Sequence, residues 1–156
     1  MKKIGSVIPA IILLVFISVQ SCKKEKNGSG ETKTSTAGSR NSHNTGQNCM
    51  NCHKSGGSGE GVFTAAGSVY DSLQTGPYPN ATIKFYTQPN GGGQVRATLS
   101  ADALGNLYTT STIDFSGGLY PAVSGTTGYT NYMSMAISSG ACNSCHGSSA
   151  GKIWIK

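Results

Sequence analysis

The chain has 156 residues, enough for one small domain, with 12 Lys and Arg against 6 Asp and Glu and a formal net charge of +6. That excess lies ahead of Asn41, at Lys2, Lys3, Lys23, Lys24, Lys26, Lys33 and Arg40; from Asn41 onward Lys54, Lys84, Arg96, Lys152 and Lys156 face Glu60, Asp71, Asp102 and Asp114. A nearly neutral folded part offers no basic footprint, so no nucleic-acid partner is expected.

At the start, Met1-Lys2-Lys3 is a short positive segment and Val7 to Val19 a largely apolar run. The run is too short to cross a membrane as a helix but suits the h-region of a signal peptide, so residues 1–21 are expected to direct export. The segment Val19-Gln20-Ser21-Cys22 resembles a bacterial lipoprotein processing site, with a small residue just before the cysteine, although Gln20 departs from the small residue usual there. That resemblance implies lipidation of Cys22 and an anchor on a bacterial membrane, facing the periplasm or the cell surface. The alternative is a plain signal peptide cleaved elsewhere. Residues 22–40 are Lys, Gly, Ser, Thr and Glu with almost nothing apolar, and read as a disordered tether whose charges suit anionic headgroups. Residues 41–156 form the remaining domain.

Within residues 41–60 lies Cys49-Met50-Asn51-Cys52-His53, a C-x-x-C-H run that recurs at Cys142-Asn143-Ser144-Cys145-His146. In such a run two thiols add across the two haem vinyl groups and the adjacent imidazole is placed to ligate iron, so the porphyrin dictates the spacing. Three other chemistries compete. Disulfides from Cys49 to Cys52 and from Cys142 to Cys145 would leave the trailing histidine unexplained twice. A zinc ribbon spaces its pairs about 15–20 residues apart, whereas about 90 residues separate these. A thioredoxin-like redox pair wants a βαβ setting, and the flanks here are Gly, Ser and Asn. With Cys22 lipidated, all five cysteines are accounted for.

On those ten residues the chain resembles the c-type cytochromes, in particular small exported dihaem proteins. The resemblance implies two covalently bound c-type haems, held by Cys49, Cys52, Cys142 and Cys145, with His53 and His146 as iron ligands. The stretch His43 to His53 also looks like the H-x-x-G-x-x-C-x-x-C-H segments of multihaem cytochromes in which the upstream histidine is an axial ligand. His43 is then the candidate for the opposite face of a haem, this one or the other, with Gly46 letting the chain double back; otherwise His43 is an exposed loop histidine.

Residues 61–135 read as β structure. Val62-Phe63, Ser68-Val69-Tyr70, Thr82 to Tyr86, Val95 to Leu99 and Asn106 to Thr110 are separated by breaks at Gly76-Pro77, Pro89 to Gly93 and Asp102 to Asn106. Ile83 and Phe85 fall on one face and Lys84 on the other, as a half-buried strand requires. The segments Gly67 to Asp71, Pro79 to Ile83 and Asp102 to Tyr108 resemble the carboxypeptidase-regulatory-like or transthyretin-like β-sandwich. The expected fold is mainly β, a small antiparallel sandwich flanked by short helical or loop segments that carry the C-x-x-C-H runs, with no long amphipathic helix.

Residues 136–156 carry the second run. The chain has three histidines, so the sixth ligand of the second haem is expected to be methionine, water or another residue. Met133 and Met135 precede Cys142 and share a face if extended, and are candidates; the alternative is that both fill core. Ile153 and Ile155 alternate as a closing strand would, with Trp154 assigned to the sandwich. The expected function is a membrane-tethered dihaem cytochrome c, not an enzyme, carrying single electrons between exported redox partners. A haem enzyme, or a sensor of gas or peroxide, using an open position on the second haem is the rival. A non-redox binding module is the third reading.

Overall fold

A computed structural model describes residues 31–156. The signal peptide expected at 1–21, Cys22 and the first part of the expected tether lie outside the described residues. No helix among the described residues is long and apolar enough to cross a membrane.

Among the described residues, eight short strands form two facing sheets. β1 (Ala65–Tyr70) is flanked by β4 (Asn106–Thr109) on one edge, and on the other by β7 (Gly140–Ala141) and β8 (Ile153–Trp154). The second sheet runs β3 (Val95–Ser100), β2 (Thr82–Tyr86), β5 (Tyr120–Ser124), β6 (Thr130–Tyr132), all antiparallel. This is the expected small, mainly β sandwich, and it carries in addition two parallel pairings, of β1 with β7 and with β8.

Alternation sets what each strand buries. In β2, Ile83 and Phe85 point inward and Lys84 outward. They join Val69, Leu99, Leu107, Val123 and Ile155 in the core between the sheets, where Phe115 meets Phe85 edge-on at 5.7 Å. β1 differs, because all six of its residues are buried. One face, with Ala65, Gly67 and Val69, looks into the core; the other, with Ala66, Ser68 and Tyr70, is covered by the chain around residues 42–46.

The three expected breaks are turns. In the one between β3 and β4, Asp102 Oδ1 accepts from the Leu104 and Asn106 amides at 2.9 and 3.1 Å. Gly105 takes φ +74° beneath the Val69 carbonyl, which leaves no room for a side chain.

The structure departs from the expected segments in three places. Val62-Phe63 is not a strand, because the Phe63 amide bonds the His53 carbonyl at 2.9 Å and its ring joins an aromatic stack instead. β5, β6 and β7 were not expected from the sequence; β5 holds Pro121 yet lies between β2 and β6. The boundary between tether and domain lies earlier than residue 41. Thr34 bridges Thr109, the Ser35 amide donates to the Tyr108 carbonyl at 2.9 Å, and the Ser35 side chain is buried and bonds the Ser100 carbonyl at 2.7 Å. The physical reason is that pairing along the open edge of β4 uses backbone groups and asks for no apolar side chains.

Candidate functional site

Each C-x-x-C run folds as a single 3-10 turn, Cys49–Asn51 and Cys142–Ser144, as the sequence led us to expect. The two turns are built alike. In the first, the Cys52 and His53 amides both donate to the Cys49 carbonyl, at 3.2 and 3.0 Å. In the second, Cys145 and His146 do the same to Cys142, at 3.3 and 3.0 Å. Both cysteines of each run and the following imidazole are thereby gathered on one turn.

The imidazoles are oriented by the same device. His53 Nδ1 lies 2.9 Å from the Glu60 carbonyl oxygen, and His146 Nδ1 lies 2.7 Å from that of Gly151. A carbonyl only accepts, so each Nδ1 carries the proton and the lone pair left for a metal is that of Nε2. Glycines let the chain bend back to make these bonds. A Cβ on Gly59 would sit 2.8 Å from the His53 ring, and Gly147 takes φ +86°.

The two sites differ in their surroundings. His53 stacks on Phe63 at 4.0 Å with the rings 5° apart, and Phe63 stacks on Tyr108 at 4.9 Å. His43 is exposed, with its ring 6.0 Å from that of His53. Gly46 makes the turn between them, with φ +87°. Its amide donates to Ser68 Oγ at 2.9 Å, and the Tyr70 hydroxyl leaves no room for a Cβ there.

The second run is an excursion from the edge of β1. β7 pairs with Ala65 and Ala66, β8 pairs with Val69 and Tyr70, and the run fills the gap between them. Inside that gap the Ser68 amide would lack a strand partner, and the buried Asn143 supplies one, Oδ1 at 2.8 Å. Gly67 has no side chain for a reason: a Cβ there would meet Cys142 Cβ at 2.8 Å.

Cys142, Cys145 and His146 open onto a cavity of about 640 Å³ between the sheets, walled by Ile83, Leu107, Pro121, Met133 and Trp154. That size lies within the roughly 300–1,000 Å³ of clefts that bury small-molecule and cofactor ligands. Met133 belongs to the wall; Met135 does not, and is 68% exposed. Pro121 places Met133 there. The Met133 amide donates to the Pro121 carbonyl at 2.9 Å, but proline has no N–H to return the bond, so the β5/β6 ladder ends and the chain turns toward the cavity. Trp154, assigned to the sandwich from its sequence position, stands in the cavity wall.

All four thiols of the runs are free. Burial pushes the Cys142 thiol up to about 12, with the neighbouring Cys49 contributing, and burial raises Cys49 as well. A disulfide-exchange site works the opposite way, with a thiol lowered toward neutrality.

Residues that sequence reasoning missed are the Phe63–Tyr108 stack, Asn143, Gly67, Pro121 and the Glu60 and Gly151 carbonyls. The glycines that follow both C-x-x-C-H runs, at 56, 57 and 59 and at 147 and 151, were the available signal for the carbonyl contacts. No protein-family model, curated protein or solved structure matches the chain.

Proposed function

We propose that this protein is an exported dihaem cytochrome c, tethered to a bacterial membrane through lipid on Cys22, that carries single electrons between exported or membrane redox proteins. The observation that carries the reading is that one construction occurs twice. A 3-10 turn presents two thiols, and the next imidazole is held through Nδ1 by a downstream carbonyl, in two unrelated flanks of the chain. A disulfide or a redox dithiol gives no reason for the imidazole to be oriented in this way.

The residues present fit covalently held haem at both turns. Cys49, Cys52, Cys142 and Cys145 supply the thiols, and His53 and His146 supply Nε2 lone pairs made more basic by the Nδ1–H bonds. Bound haem supplies one-electron ferrous/ferric chemistry. The chain's part is to attach, orient and bury. His43, whose ring lies 6.0 Å from that of His53, would supply the second imidazole to the first site. Met133 is the thioether for the second site, because it lines the cavity shared with His146 and Met135 does not.

Two measurements test this. A pyridine haemochrome assay on protein matured in a host with haem-attachment machinery is expected to count two haems per chain; a bare polypeptide or a zinc adduct by intact mass overturns the reading. Met133→Leu, close in volume, is expected to lower the reduction potential of the second site and remove its thioether spectrum, with Met135→Leu leaving both unchanged. The cavity beside His146 is also what an open-coordination sensor or enzyme would use. Prompt carbon monoxide binding by the reduced wild-type protein favours that rival over the carrier.

A further inference from the structure

The two turns occur about 90 residues apart in sequence, but they meet at one strand. On the outer face of β1, Tyr108 stands opposite Ala66 in the β1/β4 pairing and bears the stack of Phe63 and His53. On the inner face, Cys142 packs against the very next residue, Gly67, where any side chain would collide with it. Ser68 ties both segments to the same place: its hydroxyl takes the Gly46 amide from the loop leading into the first turn, and its own amide is taken by Asn143 of the second. Successive residues of a strand point to opposite faces, so a single thickness of β-sheet separates the two sites.

We propose that β1 makes the two sites one electrostatically coupled pair, in which an electron held at either site weakens electron uptake at the other. This rests on the dihaem reading above and says what that reading leaves open, namely that the sites do not titrate independently. A group packed directly on one face of a sheet lies about half of the roughly 10 Å layer spacing from its mid-plane, so groups on its two faces lie about 10 Å apart. One added charge at that separation, at an effective dielectric constant of about 20, changes a one-electron equilibrium by roughly tenfold. All six residues of β1 are buried, so the strand between the sites admits no salt and screens the interaction less than open solvent would.

The test uses the matured full-length protein, first counted for haem. Circular dichroism in the Soret region is expected to show a two-signed couplet that is absent from the single-site variants Cys49→Ser/Cys52→Ser and Cys142→Ser/Cys145→Ser. Optical redox titration is expected to need an interaction factor of roughly tenfold beyond two independent one-electron waves. Two haems per chain with a single-signed Soret band and a titration described by independent waves overturns the coupling while leaving the dihaem reading intact. Fewer than two haems overturns the dihaem reading and the coupling with it. The couplet is read on the unmodified protein, so a variant that fails to mature does not decide the result.

Discussion

Asn143 shows how a residue inside the C-x-x-C-H run serves the fold as well as the site. Its Oδ1 accepts the Ser68 amide in the gap between β7 and β8, and both groups are buried. Asn143→Ala therefore leaves a buried N–H unpaired, and is expected to cost about 1–3 kcal/mol in equilibrium urea unfolding. Asn143→Asp keeps an acceptor and is expected to lose less; equal stability of Asn143→Ala and wild type would sink the assignment. From sequence alone Asn143 is one of two unconstrained positions in the motif, since attachment chemistry specifies only the thiols and the histidine. His53 and His146 were legible as candidates for the opposite reason, because the C-x-x-C-H pattern fixes their place next to the second thiol. The preference for Met133 over Met135 was not legible. Alternation puts the two on one face, and only the end of the β5/β6 ladder at Pro121 separates them.

At the scale of elements, the segment Lys33 to Ser35 covers the open edge of β4. The Thr110 amide donates to the Lys33 carbonyl at 2.8 Å, Thr34 and Thr109 join hydroxyls at 2.8 Å, and Lys33 forms an ion pair with Glu60. A chain beginning at residue 41 is expected to be less stable than one beginning at residue 31, and to self-associate through the exposed edge. Light scattering behind size exclusion, together with urea unfolding, measures both; identical behaviour of the two chains would contradict the edge-covering role. Composition pointed to a tether here because hydropathy registers side chains, whereas the pairing is made by the backbone. β2 was legible for the matching reason, since its side chains alternate between core and solvent and announce the period. β7, two residues long, is too short to show a period at all, whereas the alternation of Ile153 and Ile155 announced β8.

For the molecule as a whole, the core is built without the thiols. Val69, Ile83, Phe85, Leu99, Leu107, Val123 and Ile155 close the space between the sheets, and none belongs to either C-x-x-C-H run. The variant with Cys49, Cys52, Cys142 and Cys145 all changed to Ser is therefore expected to keep the β-rich far-ultraviolet spectrum of the parent chain and to unfold cooperatively. A disordered spectrum for that variant would mean that attachment, and not the sandwich, organises the fold. A scaffold that stands by itself can hold two sites at fixed separation, as coupling between them requires.

By itself the sequence determined the β class, the inward residues of β2 and the principal turns, and it carries the paired C-x-x-C-H spacing on which the haem proposal rests. Each of these is written in local spacing: the C-x-x-C-H interval, a strand's period of two, a turn's need for Gly, Asn or Asp. Tertiary structure alone decided that both runs dock on β1, that Met133 faces the cavity beside His146, and that the polar stretch from Lys33 closes a sheet edge. Those outcomes depend on which distant backbone groups pair with one another, and hydrogen bonds between main chains leave no mark in the order of side chains.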